Sequence, residues 1–94
     1  MDLGNYDFLL RHYDLLSPTQ QKMVEDFIAA LPEAERYFAR RKYIDGATVE
    51  QIAAEMCYTE RNIYRIRRRV LEKLRIYMTS REVDLLARTM RRIV

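Results

Sequence analysis

Glycine and proline occur only twice each in this 94-residue chain, cysteine and histidine once each, and tryptophan not at all. Each scarcity excludes something. So few glycines and prolines leave little turn chemistry for a many-stranded β fold, and the balance of apolar (49%) and charged (33%) residues is that of a globule rather than a disordered chain. An all-α fold is expected. A lone cysteine forms no intramolecular disulfide, and with one histidine no Cys/His spacing builds a zinc site, so a reducing, cytoplasmic setting fits. His12 lies between helix-forming apolar residues without a local acid-base partner, and Cys57 reads as structural rather than nucleophilic. With neither a glycine-rich phosphate loop nor a nucleophile elbow, no catalytic residue, metal or cofactor is expected. The opening MDLGNYDFLLRHYDLL is acidic and lacks a basic leader and a continuous apolar run, so it reads as neither a signal peptide nor a membrane span.

Ninety-four residues are expected to form a single domain that buries roughly two-thirds of its unfolded surface. Its formal charge of +3 is unevenly spread. Residues 1 to 32 hold two basic against five acidic residues, whereas Glu60 to Tyr77 hold seven basic against two acidic. Such concentration attracts a polyanion better than the same charge evenly spread, although a solvated helix face has the same appearance.

Helical spacing of Tyr6, Leu9, Leu10, Tyr13 and Leu16 predicts a first helix over about 6 to 16. Ser17, Pro18 and Gln20 form the start signal of a second, a capping box with proline at the first turn, followed by an apolar face of Met23, Val24, Phe27, Ile28 and Leu31. Residues 1 to 31 are thus an acidic helical prefix. A third helix, about Glu33 to Ile44, has Ala34, Tyr37, Phe38 and Ile44 as its core stripe, with Gly46 as its carboxyl-terminal cap. Thr48 and Gln51 repeat the capping-box spacing for a fourth helix ending near Met56, and Thr59 caps a fifth reaching about Tyr77. Thr79 with Glu82 predicts a separate sixth helix, an amphipathic segment over 79 to 94 with Val83, Leu86, Ala87, Met90 and Ile93 on one face. Four readings of that helix stay open: completing the core, pairing a homodimer, contacting anions, or a frayed tail. The expected architecture is a compact bundle of five to six helices.

Residues 48 to 56 and 59 to 77 read as a helix-turn-helix. Ala53 is small enough for close approach, Cys57 occupies the turn, and Val49, Ile52, Ile63 and Ile66 fill the angle between the helices. The stripe Ile63, Ile66, Val70, Leu74 and Tyr77 lies opposite Arg61, Arg65 and Arg68, so one side can pack while the other enters a groove. In such a motif the amino-terminal turns of the second helix meet base edges, which assigns Arg61, Tyr64 and Arg65 to the bases and Arg68 to their edge. Thr48, Thr59, Asn62, Arg67, Arg69 and Arg75 are the phosphate candidates. Glu60 either accepts from cytosine or compensates the helix end. Arg40, Arg41 and Lys42 extend the basic surface, unless Arg41 covers an apolar stripe with its stem.

The stretch LPEAERYFARRKYIDGATVEQIAAEMCYTERNIYRIRRRVLEKL, residues 31 to 74, resembles region four of the sigma-70 family of RNA polymerase factors. The resemblance rests on Leu31-Pro32-Glu33, Tyr43-Ile44-Asp45-Gly46, Glu50-Gln51-Ile52-Ala53 and Val70-Leu71-Glu72-Lys73-Leu74. The proportions of the chain, with a sigma-like reader at 32 to 78 after a helical prefix, are similar to small phage and mobile-element activators of the late-gene type. This resemblance implies a sequence-specific double-stranded DNA-binding transcriptional regulator of the bacterial cytoplasm or nucleoid. Nothing ahead of residue 31 supplies a second promoter domain, so a regulator rather than a complete sigma factor is expected. Cys57 stands where the family often has glycine, and Asn62 and Tyr64 where it often has arginine, so the family's promoter sequence does not carry over. Two other readings stay open: an adaptor that binds RNA polymerase or an activator, and a DNA-recognition subunit of phage packaging.

Overall fold

A computed structural model describes the backbone of residues 4–93 and the side chains of residues 4–79. The chain is all-α. Five α-helices follow in order: α1 Gly4–Arg11, α2 Pro18–Ala29, α3 Glu33–Ala39, α4 Val49–Met56 and α5 Glu60–Ile93. A 3-10 turn at Tyr13–Leu15 precedes α2, and a π-helical turn at Arg40–Ile44 extends α3. Among the described residues there is no strand, and no helix is long and apolar enough to cross a membrane.

The start signals act as the sequence predicts. Ser17 Oγ accepts from the Gln20 amide at 3.2 Å while Gln20 Oε1 accepts from the Ser17 amide at 3.1 Å, and Thr48 and Gln51 make the same reciprocal pair at 3.1 and 2.9 Å. Thr59 Oγ1 accepts from the Asn62 amide at 3.2 Å, so the amino terminus of α5 is capped too. Each bond satisfies a backbone donor that the helix itself leaves open.

Three boundaries differ from expectation. The first helix stops at Arg11 instead of continuing to about Leu16: the Leu15 and Leu16 amides donate three residues back, to the His12 and Tyr13 carbonyls at 2.9 and 3.1 Å, tightening the chain into a 3-10 turn, and the Gln21 side chain also donates to the Tyr13 carbonyl at 3.1 Å. The Tyr13 hydroxyl then donates to Glu25. Within the third segment the π turn inserts one extra residue, so Tyr43, five residues after Phe38, turns inward, with the rings edge to face at 6.0 Å. Ile44 and Tyr37, expected in the core, are 42% and 40% exposed. Gly46 ends the segment at φ +76, and Ala47 closes it by donating to the Arg41 carbonyl at 2.8 Å. Finally, α5 runs unbroken past Thr79, so the expected separate sixth helix is the continuation of the fifth. With neither glycine nor proline near 79, continuing the ladder costs only the small propensity deficit of Thr and Ser. At 1.5 Å per residue its 34 residues span about 51 Å, close to the 55 Å long axis of the molecule. The expected apolar face of 83 to 93 lies outside the described side chains.

The core gathers on α5. Ile63, Ile66, Val70, Leu71 and Leu74 pack with Leu10, Val24, Phe27, Ile28, Phe38, Ala39, Ile52 and Ala53. Fully burying an aliphatic side chain of this kind contributes roughly 1.5–3 kcal/mol. Two carboxylates lie inside this packing. Asp7 accepts from the Tyr43 hydroxyl at 2.8 Å and meets Arg67 at 3.2 Å, and Glu35 meets Lys73 Nζ at 2.6 Å, so each buried charge has a partner. Burial and then the hydrogen bond to Asp7 push the Tyr43 hydroxyl up from its ordinary value.

A fork joins the π turn to α4: Arg41 Nε and Nη2 donate to the two Glu55 oxygens at 2.9 and 2.7 Å, and the Tyr37 hydroxyl of α3 adds a bond at 2.7 Å. These bonds, Arg41 first, hold the Glu55 carboxyl down to about 2. Its contribution to stability is therefore complete above the ordinary value of 4.5 and is lost as pH falls through about 2. Thermal melts of Glu55→Gln and the unaltered chain should converge as pH drops from about 5 to about 2; a gap that stays constant would contradict this. A second prediction concerns Cys57, which sits in the left-handed region at φ 57 and ψ 39. There a side chain costs roughly 1–2 kcal/mol, offset in part by the greater entropy glycine loses on folding, so Cys57→Gly should stabilise by about 0.5–1 kcal/mol and raise Tm by a few degrees. A lower Tm would show that the turn depends on the thiol side chain.

Candidate nucleic-acid interface

The turn between α4 and α5 is a Schellman motif. Tyr58 donates its amide to the Ala53 carbonyl at 2.9 Å and Cys57 to Ala54 at 3.3 Å, which ends α4 abruptly and lets Thr59 start the next helix two residues after Cys57. Ala53 is buried at 5% exposure, and Ile52 and Ile63 are fully buried, so the small residue and the two isoleucines occupy the angle expected of them.

With one side of α5 committed to the core, position decides which of its cations face water. Taking Ile63 as origin and about 100° per residue, Arg68, Arg61 and Arg65 fall at roughly 140°, 160° and 200°, opposite the buried stripe. All three are exposed, as is Tyr64 on one flank at roughly 100°. Asn62 and Arg69 occupy the other flank at roughly 260° and 240°, also exposed. Arg75 is exposed about 21 Å farther along the helix than Arg61, beyond a major groove about 12 Å wide. The four base candidates therefore share one surface, with Asn62 and Arg69 beside it and Arg75 at a distance.

Pairing sorts the same residues again. Arg61, Arg65, Arg69 and Arg75 make no ion pair among the described residues, while Arg68 meets Glu72 at 3.2 Å in an exposed i,i+4 contact of the kind that contributes little. Arg67 is different. At roughly 40° it lies within the packing side, where its Nε and Nη2 meet Asp7 at 3.3 and 3.2 Å, so its guanidinium is anchored to α1 and stands apart from the other phosphate candidates. Thr48 and Thr59 use their hydroxyl oxygens as cap acceptors, and each keeps its hydroxyl hydrogen for another partner.

Beside Tyr64 the surface is hollowed. An open cleft of about 360 Å³ is lined by Asp7, Arg11, Lys42, Val49, Tyr64 and Arg67, and it adjoins a second lined by Lys42, Thr48, Val49, Glu50, Glu60 and Tyr64. Sequence reasoning missed Asp7 and Arg11. Their i,i+4 spacing on α1 is visible, but the partner that matters, Arg67, lies sixty positions away. His12 is exposed with its ring 4.3 Å from that of Phe8, and among the described residues no group of His, Cys, Asp and Glu could hold a metal ion. Comparison of the chain with protein-family models, curated proteins and solved structures finds no match.

Proposed function

We propose that the chain is a sequence-specific double-stranded DNA-binding transcriptional regulator of the bacterial cytoplasm or nucleoid, of the phage or mobile-element type. The observation that carries this reading is the row of exposed arginines, Arg61, Arg65 and Arg68, on the first turns of α5, directly opposite the helix's buried stripe. The Schellman turn and the Thr59 cap present those turns outward, as a helix entering a major groove requires. Arg61 and Arg65 can each offer paired donors to guanine, and Tyr64 can bond or pack against thymine. Asn62 and Arg69 take flanking phosphates, and Thr48 and Thr59 stand at helix starts where backbone amides also meet phosphate. The resemblance of residues 31 to 74 to sigma region four agrees with this class. If two copies pair through residues 79 to 94, the bound sequence is an inverted repeat; a single chain reads one short motif.

A second reading has its own support. Phe8 and Leu15 on the prefix are 65% and 77% exposed, as a segment that docks on a protein such as RNA polymerase would be. The two roles coexist without conflict, because the prefix residues lie outside the arginine row.

Selection of bound duplexes from a random pool should enrich a short motif. Arg61→Ala or Arg65→Ala should cost roughly 1–3 kcal/mol at the enriched site and relax its preference, whereas Arg69→Ala should weaken all duplexes alike. An unchanged preference in the first two variants would remove α5's outer face as the reader, and failure to bind any duplex alongside co-purification with RNA polymerase would favour the adaptor.

A further inference from the structure

The cleft beside Tyr64 brings together cations from three separate parts of the chain: Arg11 from α1, Lys42 from the π turn and Arg67 from α5. Asp7 beneath them is 7% exposed, and its oxygens face Tyr43 and Arg67 on one side and Arg11, at 3.6 Å, on the other. Three cations against one carboxylate leave the cleft with an excess of two positive charges. Lys42 makes no ion pair among the described residues, and Arg11 keeps a side chain 65% exposed despite its contact with Asp7. The adjoining cleft carries Glu50 and Glu60, so the attraction for an anion is strongest at the Arg11 end.

Tyr64 lines both clefts and flanks the row of Arg61, Arg65 and Arg68. A duplex whose groove held that row would pass a backbone strand beside Tyr64. The geometry points to this cleft as the seat of one DNA phosphodiester, gripped by Arg11 and Lys42, with Asp7 ion-paired to Arg67 and Arg11 at its wall. The inference rests on the DNA-reading role of α5 and adds to it: the acidic prefix becomes part of the interface, and its net negative charge does not set its local role. Arginine and lysine bind such a phosphate by charge and hydrogen bonding without reading sequence.

The test measures affinity of the full chain for one duplex as a function of salt. Loss of one phosphate contact lowers the magnitude of the log–log salt slope by about 0.9, equivalent to roughly an eightfold weaker affinity near 0.1 M salt. The Arg11→Ala, Lys42→Ala double variant should show this loss, and each single variant part of it, with base preference unchanged, while Lys22→Ala, on α2 and outside the cleft, should match the unaltered chain. Arg11 is exposed and Lys42 half-buried, neither in the core, so thermal melts should confirm that the variants remain folded. If duplex binding is intact but the Arg11 and Lys42 variants keep the parent slope and affinity, the phosphate seat is wrong while the reading face stands. Were the unaltered chain to bind no duplex at any salt, both would fall together.

Discussion

Ile63, Ile66, Val70, Leu71 and Leu74 bury one side of α5 against the other helices, and that burial fixes where the arginines of the helix go. A helix turns about 100° per residue, so residues two or five positions from a buried one face away from it. Once Ile63 and Ile66 are inside, Arg61, Arg65 and Arg68 are outside. The same commitment makes α5 the common wall on which α1, α3 and α4 are assembled, so packing and surface charge belong to one element.

Acidic residues complete the sorting. Asp7 meets Arg67, Glu35 meets Lys73 and Glu55 meets Arg41, each joining two separate parts of the chain. Pairs of this kind, taken partly out of water, are weak sources of net stability, but removing one partner strands the other. Their effect here is spatial. Arg41, Arg67 and Lys73 are matched by carboxylates from other parts of the chain, while among the described residues Arg61, Arg65, Arg69 and Arg75 are in no ion pair. The positive field therefore lies on the outer face of α5, although the chain's net charge is only +3.

Local chemistry was legible in the sequence, and long-range chemistry was not. The capping boxes at Ser17 and Thr48, the cap at Thr59 and the positive-φ glycine at 46 each depend on residues within a few positions, and the structure contains all of them. Ile63, Ile66, Val70 and Leu74 were readable from period alone, and with them the outward row of arginines. The π turn was not readable, because its extra residue is set by Tyr43 reaching Phe38 and Asp7 rather than by local propensity. That one-residue shift moved Ile44 to the surface. Thr79 and Glu82 carry a start signal that the helix overrides, since a cap needs an extended residue and no breaker stops α5 there. Arg67 joined the phosphate candidates because its partner, Asp7, sits sixty positions earlier, on a helix whose one aspartate entered only the charge count.

The central claim is that the outer face of the first turns of α5 meets DNA. Nuclear magnetic resonance titration of isotope-labelled full chain with a short duplex at low salt tests it most directly. The account predicts that amide shifts concentrate from Thr59 to Arg69, at the start of α4 and around Arg11 and Lys42, leaving the middle of α2 unchanged. Shifts confined to Phe8–Leu15, or none at all, would contradict it.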